Sequence, residues 1–181
     1  PAGAALDMPA GPSEVMVVGD GRADPRFVAM DLLSQAEHGP DWHVVLVTPD
    51  PDLLASVEAE IGQALPSLSR RAIIEQALRH AIAVVVTDQG QAVDVANEYA
   101  PEHLIVQVAD PRAFAADIHT AGSVFLGRWT PESVGDYCSG TNHVLPTYGY
   151  ARAYSGLSVP DFQRRMTVQE VPAPAPDLED T

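Results

Sequence analysis

Val15-Met16-Val17-Val18-Gly19-Asp20, followed by Asp24-Pro25, is the stretch on which the fold turns. A short apolar run ending in turn residues is the pattern of a strand buried on both faces, as in a parallel sheet. Asp24 then suits a helix N-cap, and Pro25 suits the first helical position, where no backbone N–H is needed. Phe27, Val28, Met30, Asp31, Leu32 and Gln35 follow with a helical rhythm that Gly39-Pro40 stops. One strand, a short loop and one helix are thus legible within about 25 residues, a spacing typical of βα units.

The same unit recurs downstream. Val44–Thr48 reads as a second strand, and Asp50-Pro51 opens a helix with Leu53, Leu54, Val57 and Ile61 on one stripe before Pro66 breaks it. Ser67–His80 reads as a further helix with Ile73, Ile74, Ala77 and Leu78 inward. Ile82–Thr87 is a third strand, and Asp88 caps a helix that Pro101 ends. Leu104–Val108 is a fourth strand, Asp110-Pro111 opens a helix to about Thr120, and Ser123–Gly127 is a fifth strand. Regular alternation with short connections predicts an α/β fold, a mostly parallel sheet with helices on both faces in the Rossmann-like manner. Residues 1–170 are expected to form one such domain. Its last part is an irregular active-site loop segment, with a helical turn or two and then a strand within 159–168. The proline-rich, acidic residues 171–181 are expected to be disordered.

Composition narrows the function. The chain has 181 residues with 46% apolar content, enough for a real core. Ten basic residues against twenty-five acidic ones give a formal charge of −15, which repels phosphate backbones and argues against a nucleic-acid partner. No apolar run approaches the roughly 20 residues that span a bilayer, so no membrane role is expected. A single cysteine excludes an internal disulfide and fits the cytoplasm. The opening Pro1-Ala2-Gly3-Ala4-Ala5 reads as a segment entered partway through a longer chain.

The densest chemistry lies in Gly135-Asp136-Tyr137-Cys138-Ser139-Gly140-Thr141-Asn142-His143-Val144-Leu145-Pro146-Thr147, which lacks strand or helix periodicity and reads as a loop. Asp136 and His143 can both face a metal or a small substrate. Cys138 has the chemistry of a nucleophile, yet a small residue filling a glycine-rich loop is the preferred reading. Gln35 and His38 lie one helical turn apart and share a face. Glutamine is an uncommon zinc ligand, and spacing alone favours a helix C-terminus met by polar side chains. Glu102-His103 sits where a helix passes into a strand, which fits an acid–base pair and equally two solvated loop residues. His43, His80 and His119 suit packing or helix ends. No Gly-x-Gly-x-x-Gly turn follows any strand, so no standard dinucleotide site is visible.

Four stretches taken together resemble histidinol dehydrogenase. They are Asp7–Val15, Asp31–Pro40, Pro101–Leu104 and Ala121–Thr147, and the likeness continues through Asp161–Gln163 and Met166–Glu170. The resemblance implies zinc- and NAD-dependent oxidation of L-histidinol to L-histidine through the aldehyde, in histidine biosynthesis. It implies Gln35, His38 and Asp136 as zinc ligands, His103 as the base for the hydroxyl proton and Glu102 as the residue that activates water. Ser13, Gln35, His38, His103, Asp136 and His143 correspond to substrate-binding positions. It also implies a homodimer whose partner subunit completes the site. The family's nucleotide-binding residues and a fourth zinc ligand fall outside this chain, which is therefore expected to be inactive or nearly so in isolation. The rival readings are a non-catalytic α/β fragment or assembly module that keeps the scaffold, and a zinc hydrolase using Glu102 and water without NAD.

Overall fold

The computed structural model describes Met8, Pro9 and residues 11–172. Strands β1 (Glu14–Gly19), β2 (His43–Thr48), β3 (Ile82–Val85), β4 (His103–Gln107) and β5 (Ser123–Leu126) form one sheet in the order β3-β2-β1-β4-β5, and every pairing is parallel. The helices are α1 (Pro25–Ala36), α2 (Pro51–Ala64), α3 (Arg71–Ala77), α4 (Gln89–Tyr99), α5 (Pro111–Ala116) and α6 (Glu132–Tyr137).

The predicted helix starts are present as read. Asp24, Asp50 and Asp110 each cap a helix that opens on a proline, and Asp88 caps α4 by accepting from Gln91 N at 2.9 Å. Each carboxylate satisfies a backbone N–H that has no partner inside the helix and meets the positive end of its dipole. Asp88→Ala is expected to lower stability by about 1 kcal/mol, read from the midpoint of a urea unfolding curve.

Alternation along the strands divides the core. Val15, Val17, Val44, Leu46, Ile105 and Phe125 face α1–α3, while Met16, Val18, Val45, Val47, Leu104 and Val106 face α4 and α5. Both faces of β1 are therefore buried, which accounts for its unbroken apolar run. The helix α6 lies on the α1 side: a Cβ at Gly135 would stand 2.6 Å from the Phe125 ring, so a residue without a side chain permits the close approach.

Several boundaries depart from the sequence reading. Ser67–His80 is not one helix, since α3 is preceded by a 3-10 turn at Leu65–Ser67 and followed by another at Leu78–His80. Ile74 and Ala77 are buried as expected, but a turn of helix around Pro66 tightens instead of extending. The helix α5 stops at Ala116 and not near Thr120. Strand β3 is shorter than read, and as the edge of the sheet it is largely exposed. Gly135-Asp136-Tyr137 is the end of α6 and not loop; six residues behind Pro131 show too little periodicity to be recognised. Residues 159–168 hold one 3-10 turn at Val159–Phe162 and no strand. Val171 and Pro172 are exposed and irregular, and the remainder of the expected tail lies outside the described residues.

Candidate active site at the amino ends of the strands

Parallel register places Val15 opposite His103, so Ser13 and Glu14 at the start of β1 lie beside Glu102 and His103 at the start of β4. The helix α1 runs antiparallel to the sheet and brings Gln35, in its last turn, to the same end. The helix α6 adds Glu132 and, one turn later, Asp136. Ligands of open α/β sheets usually bind at the carboxyl ends of the strands. Here the cluster forms at the amino ends.

A network of short polar contacts ties these groups together. Glu102 Oε2 accepts from the Ser13 hydroxyl and from Glu14 N at 2.9 Å. The Glu14 carboxylate accepts in turn from Glu102 N at 3.3 Å and from the Tyr99 hydroxyl at 3.2 Å. His103 Nδ1 stands 3.1 Å from the backbone oxygen of Glu14. A carbonyl oxygen can only accept, so Nδ1 carries the proton and Nε2 keeps its lone pair. Nε2 points toward Glu132 Oε1 at 4.0 Å and has no hydrogen-bond partner among the described residues. His103 is only 3% exposed.

Gln35 is fully buried, and its neighbours settle its amide orientation. With its nitrogen donating to Glu132 Oε2 at 3.0 Å, its oxygen accepts from Glu14 N at 3.2 Å and lies 2.9 Å from Ser13 Oγ, whose single proton serves one acceptor at a time, this oxygen or Glu102. The opposite orientation would set oxygen against acceptors and nitrogen against donors.

Burial dominates the electrostatics. It pushes the carboxyl groups of Glu102 and Glu132 up to about 7, with the Glu14 and Asp136 charges adding to the rise at Glu102 and those of Asp136, Glu102 and Asp31 at Glu132. Hydrogen bonds from Ser13 and Glu14 hold the Glu102 value down in part. Burial raises Asp31 to about 7 as well, against the hydrogen bond it accepts from Gln107 at 2.8 Å. Burial lowers His103 and favours the neutral ring, although the Glu14 carbonyl opposes it.

These shifts carry a stability consequence. Glu102, Glu132 and Asp31 bind a proton more tightly folded than unfolded. The stability they contribute is complete below their ordinary values of 4.5, 4.5 and 3.8 and is lost as pH rises through about 7. Without metal, the urea midpoint is expected to be lower at about pH 8 than at about pH 5; a midpoint that rises over this interval contradicts the assignment.

Of the residues singled out from the sequence, Ser13, Gln35, Glu102 and His103 meet through direct contacts. Asp136 joins His103 and Glu132, with one ligating atom from each lying within 4.8 Å of the others. His38 lies beyond the end of α1, exposed, with its ring edge-on to Trp42. His143 is also exposed, and both imidazoles are close enough for their charges to act on His103. Gln35, His38 and Asp136 share no direct hydrogen bond. Cys138 is exposed and takes no part in the cluster.

The sequence reading gave no role to Glu132, to the Glu14 carboxylate or to Tyr99. Glu132 stands four residues before Asp136, which marks one helical face once residues 132–137 are known to be helix. Glu14 carried a weaker signal, an acid at the head of an otherwise apolar strand.

Fold and cluster together define an open parallel α/β domain with a buried imidazole–carboxylate site at the amino ends of its strands. The family model described as Histidinol dehydrogenase matches residues 2–177, and the chain belongs to that family. It is 58% identical over 171 residues to histidinol dehydrogenase of Vibrio cholerae and 57% identical over 171 residues to that of Photobacterium profundum. These alignments cover 94% of this chain and 40% and 39% of the relatives, so the chain spans about two fifths of their length. A crystal structure of histidinol dehydrogenase from Elizabethkingia anophelis superposes with a TM-score of 0.85 at 49% identity, over 87% of this chain and 36% of that one.

Proposed function

We propose that this chain serves the oxidation of L-histidinol to L-histidine through the aldehyde, as the metal- and base-bearing part of a histidinol dehydrogenase that uses zinc and NAD. The observation that carries the reading is the fixed tautomer of His103. Its Nδ1–H is committed to the Glu14 carbonyl, so the buried Nε2 is free to accept a proton. In the first oxidation His103 takes the hydroxyl proton. In the second Glu102 activates water against the aldehyde; a carboxyl group raised to about 7 is suited to proton transfer near neutral pH. Ser13 and the Glu14 N–H hold Glu102 in place, while Ser13 and His143 contact substrate.

The imidazole of His38, the carboxylate of Asp136 and the amide oxygen of Gln35 are the proposed zinc ligands, and Gln35 would have to turn its oxygen away from Glu14 N and Ser13 Oγ to reach the ion. Bound there, zinc would supply Lewis acidity toward the amino alcohol. No residue of this chain is assigned to NAD, so no step is built on the nucleotide. The chain spans about two fifths of its relatives' length, and the reading places the remaining site residues outside these 181 positions, some of them on a homodimer partner. A cytoplasmic setting follows from the biosynthetic reading, and among the described residues no helix is long and apolar enough to cross a membrane.

Two measurements test the reading. Calorimetry should detect histidinol binding that strengthens when zinc is added. NADH formation from histidinol and NAD should be absent or weak in the isolated chain. Zinc-independent binding, or hydrolysis of esters or amides in its place, would sink the proposal.

A further inference from the structure

We propose that His103, Glu132 and Asp136 form an inner divalent-cation position, separate from the Gln35–His38–Asp136 set and sharing only Asp136 with it. Three observations support it. One donor atom from each residue lies within 4.8 Å of the other two. Metal–ligand bonds of about 2 Å put neighbouring donors roughly 3 Å apart, so modest side-chain rotation closes the site, and the half-buried Asp136 has room for it.

The second observation is His103 itself. It is 3% exposed, its Nε2 has no partner among the described residues, and that nitrogen faces a Glu132 oxygen at 4.0 Å. Its other ring nitrogen donates to the Glu14 carbonyl at 3.1 Å. A histidine that ligates a metal characteristically makes such a bond, which sets the tautomer and aims the lone pair.

The third is the arrangement around Glu132. The Gln35 amide holds Glu132 Oε2 at 3.0 Å and leaves Oε1 on the His103 side. The same amide accepts from Glu14 N at 3.2 Å, so in this arrangement Gln35 positions the Glu132 carboxylate. One imidazole and two carboxylates suit Zn²⁺, Co²⁺ or Mn²⁺. An ion in this position occupies the lone pair that His103 needs as a base, so divalent cation in excess is inhibitory.

The test requires no turnover, and its result is independent of whether the chain takes part in histidinol oxidation. Zn²⁺ binding to the full metal-free chain is measured by equilibrium dialysis in His38→Asn, which lacks the imidazole of the other set. That variant should still bind one Zn²⁺, and adding Glu132→Gln should weaken binding by about tenfold or more. Loss of all binding in His38→Asn, or unchanged affinity after Glu132→Gln, overturns the inference. Should the double variant fail to fold by circular dichroism, ¹⁵N NMR of the unmodified chain decides. Zn²⁺ should shift the His103 Nε2 resonance, and a resonance that stays in place through saturation overturns the proposal.

Discussion

His103→Asn is expected to reduce histidinol oxidation by about two to four orders of magnitude, in any assembly that supports turnover. Asparagine retains polarity and approximate size, and its amide can donate to the Glu14 carbonyl as Nδ1 does in the parent. It has no nitrogen that accepts a proton near neutral pH. The loss should therefore fall on kcat, with KM for histidinol changing much less. Steady-state NADH production with both parameters resolved provides the check. An equal fall in binding would assign His103 to substrate or metal affinity and not to proton transfer.

Gly122→Ala should lower stability by about 1–3 kcal/mol and disturb Glu102 in the same stroke. A Cβ at position 122 would lie 2.6 Å from the Glu102 carbonyl oxygen and 3.3 Å from Leu145 Cβ. That carbonyl accepts from Ser123 N at 2.8 Å, and Gly122 N donates to the Pro101 oxygen at 2.9 Å. The obstacle is therefore backbone, held by hydrogen bonds where β5 begins its pairing with β4, and it cannot rotate aside. Urea unfolding measures the stability loss. Activity should fall more than the folded fraction accounts for, because the displaced residue is the proposed water-activating group. A variant that folds and turns over like the parent would show that the β4–β5 start is more compliant than its contacts indicate.

The scaffold was legible because its signals are local. An Asp-Pro pair specifies a helix start within two residues, and an unbroken apolar run specifies a doubly buried strand from its own composition. Where two local tendencies compete, legibility failed. Ser67–His80 has helical spacing throughout, but Pro66 and the entry to β3 reduce it to a seven-residue helix between two tight turns. Glu132 was overlooked because the short α6 is held by packing of Gly135 on Phe125 and not by a periodic apolar stripe.

The candidate site divides along the same line. Ser13, Gln35, His38, Glu102, His103, Asp136 and His143 could be named from linear motifs, since each lies in a run distinctive enough to resemble one family. Their relations could not be named. Residues 13, 35, 102 and 132 converge only because parallel register aligns the starts of β1 and β4 while α1 and α6 deliver their side chains to that end. The tautomer of His103 depends on a carbonyl 89 positions away in sequence, and the charge state of Glu102 on how much water the surrounding chain excludes. By itself the sequence determined the order of the five strands and their alternation with helices, the residue types and the family. Only the tertiary structure decided which lone pair is free, which amide is already engaged and which carboxylates share a buried space, because these depend on distance and solvent exclusion between segments remote along the chain.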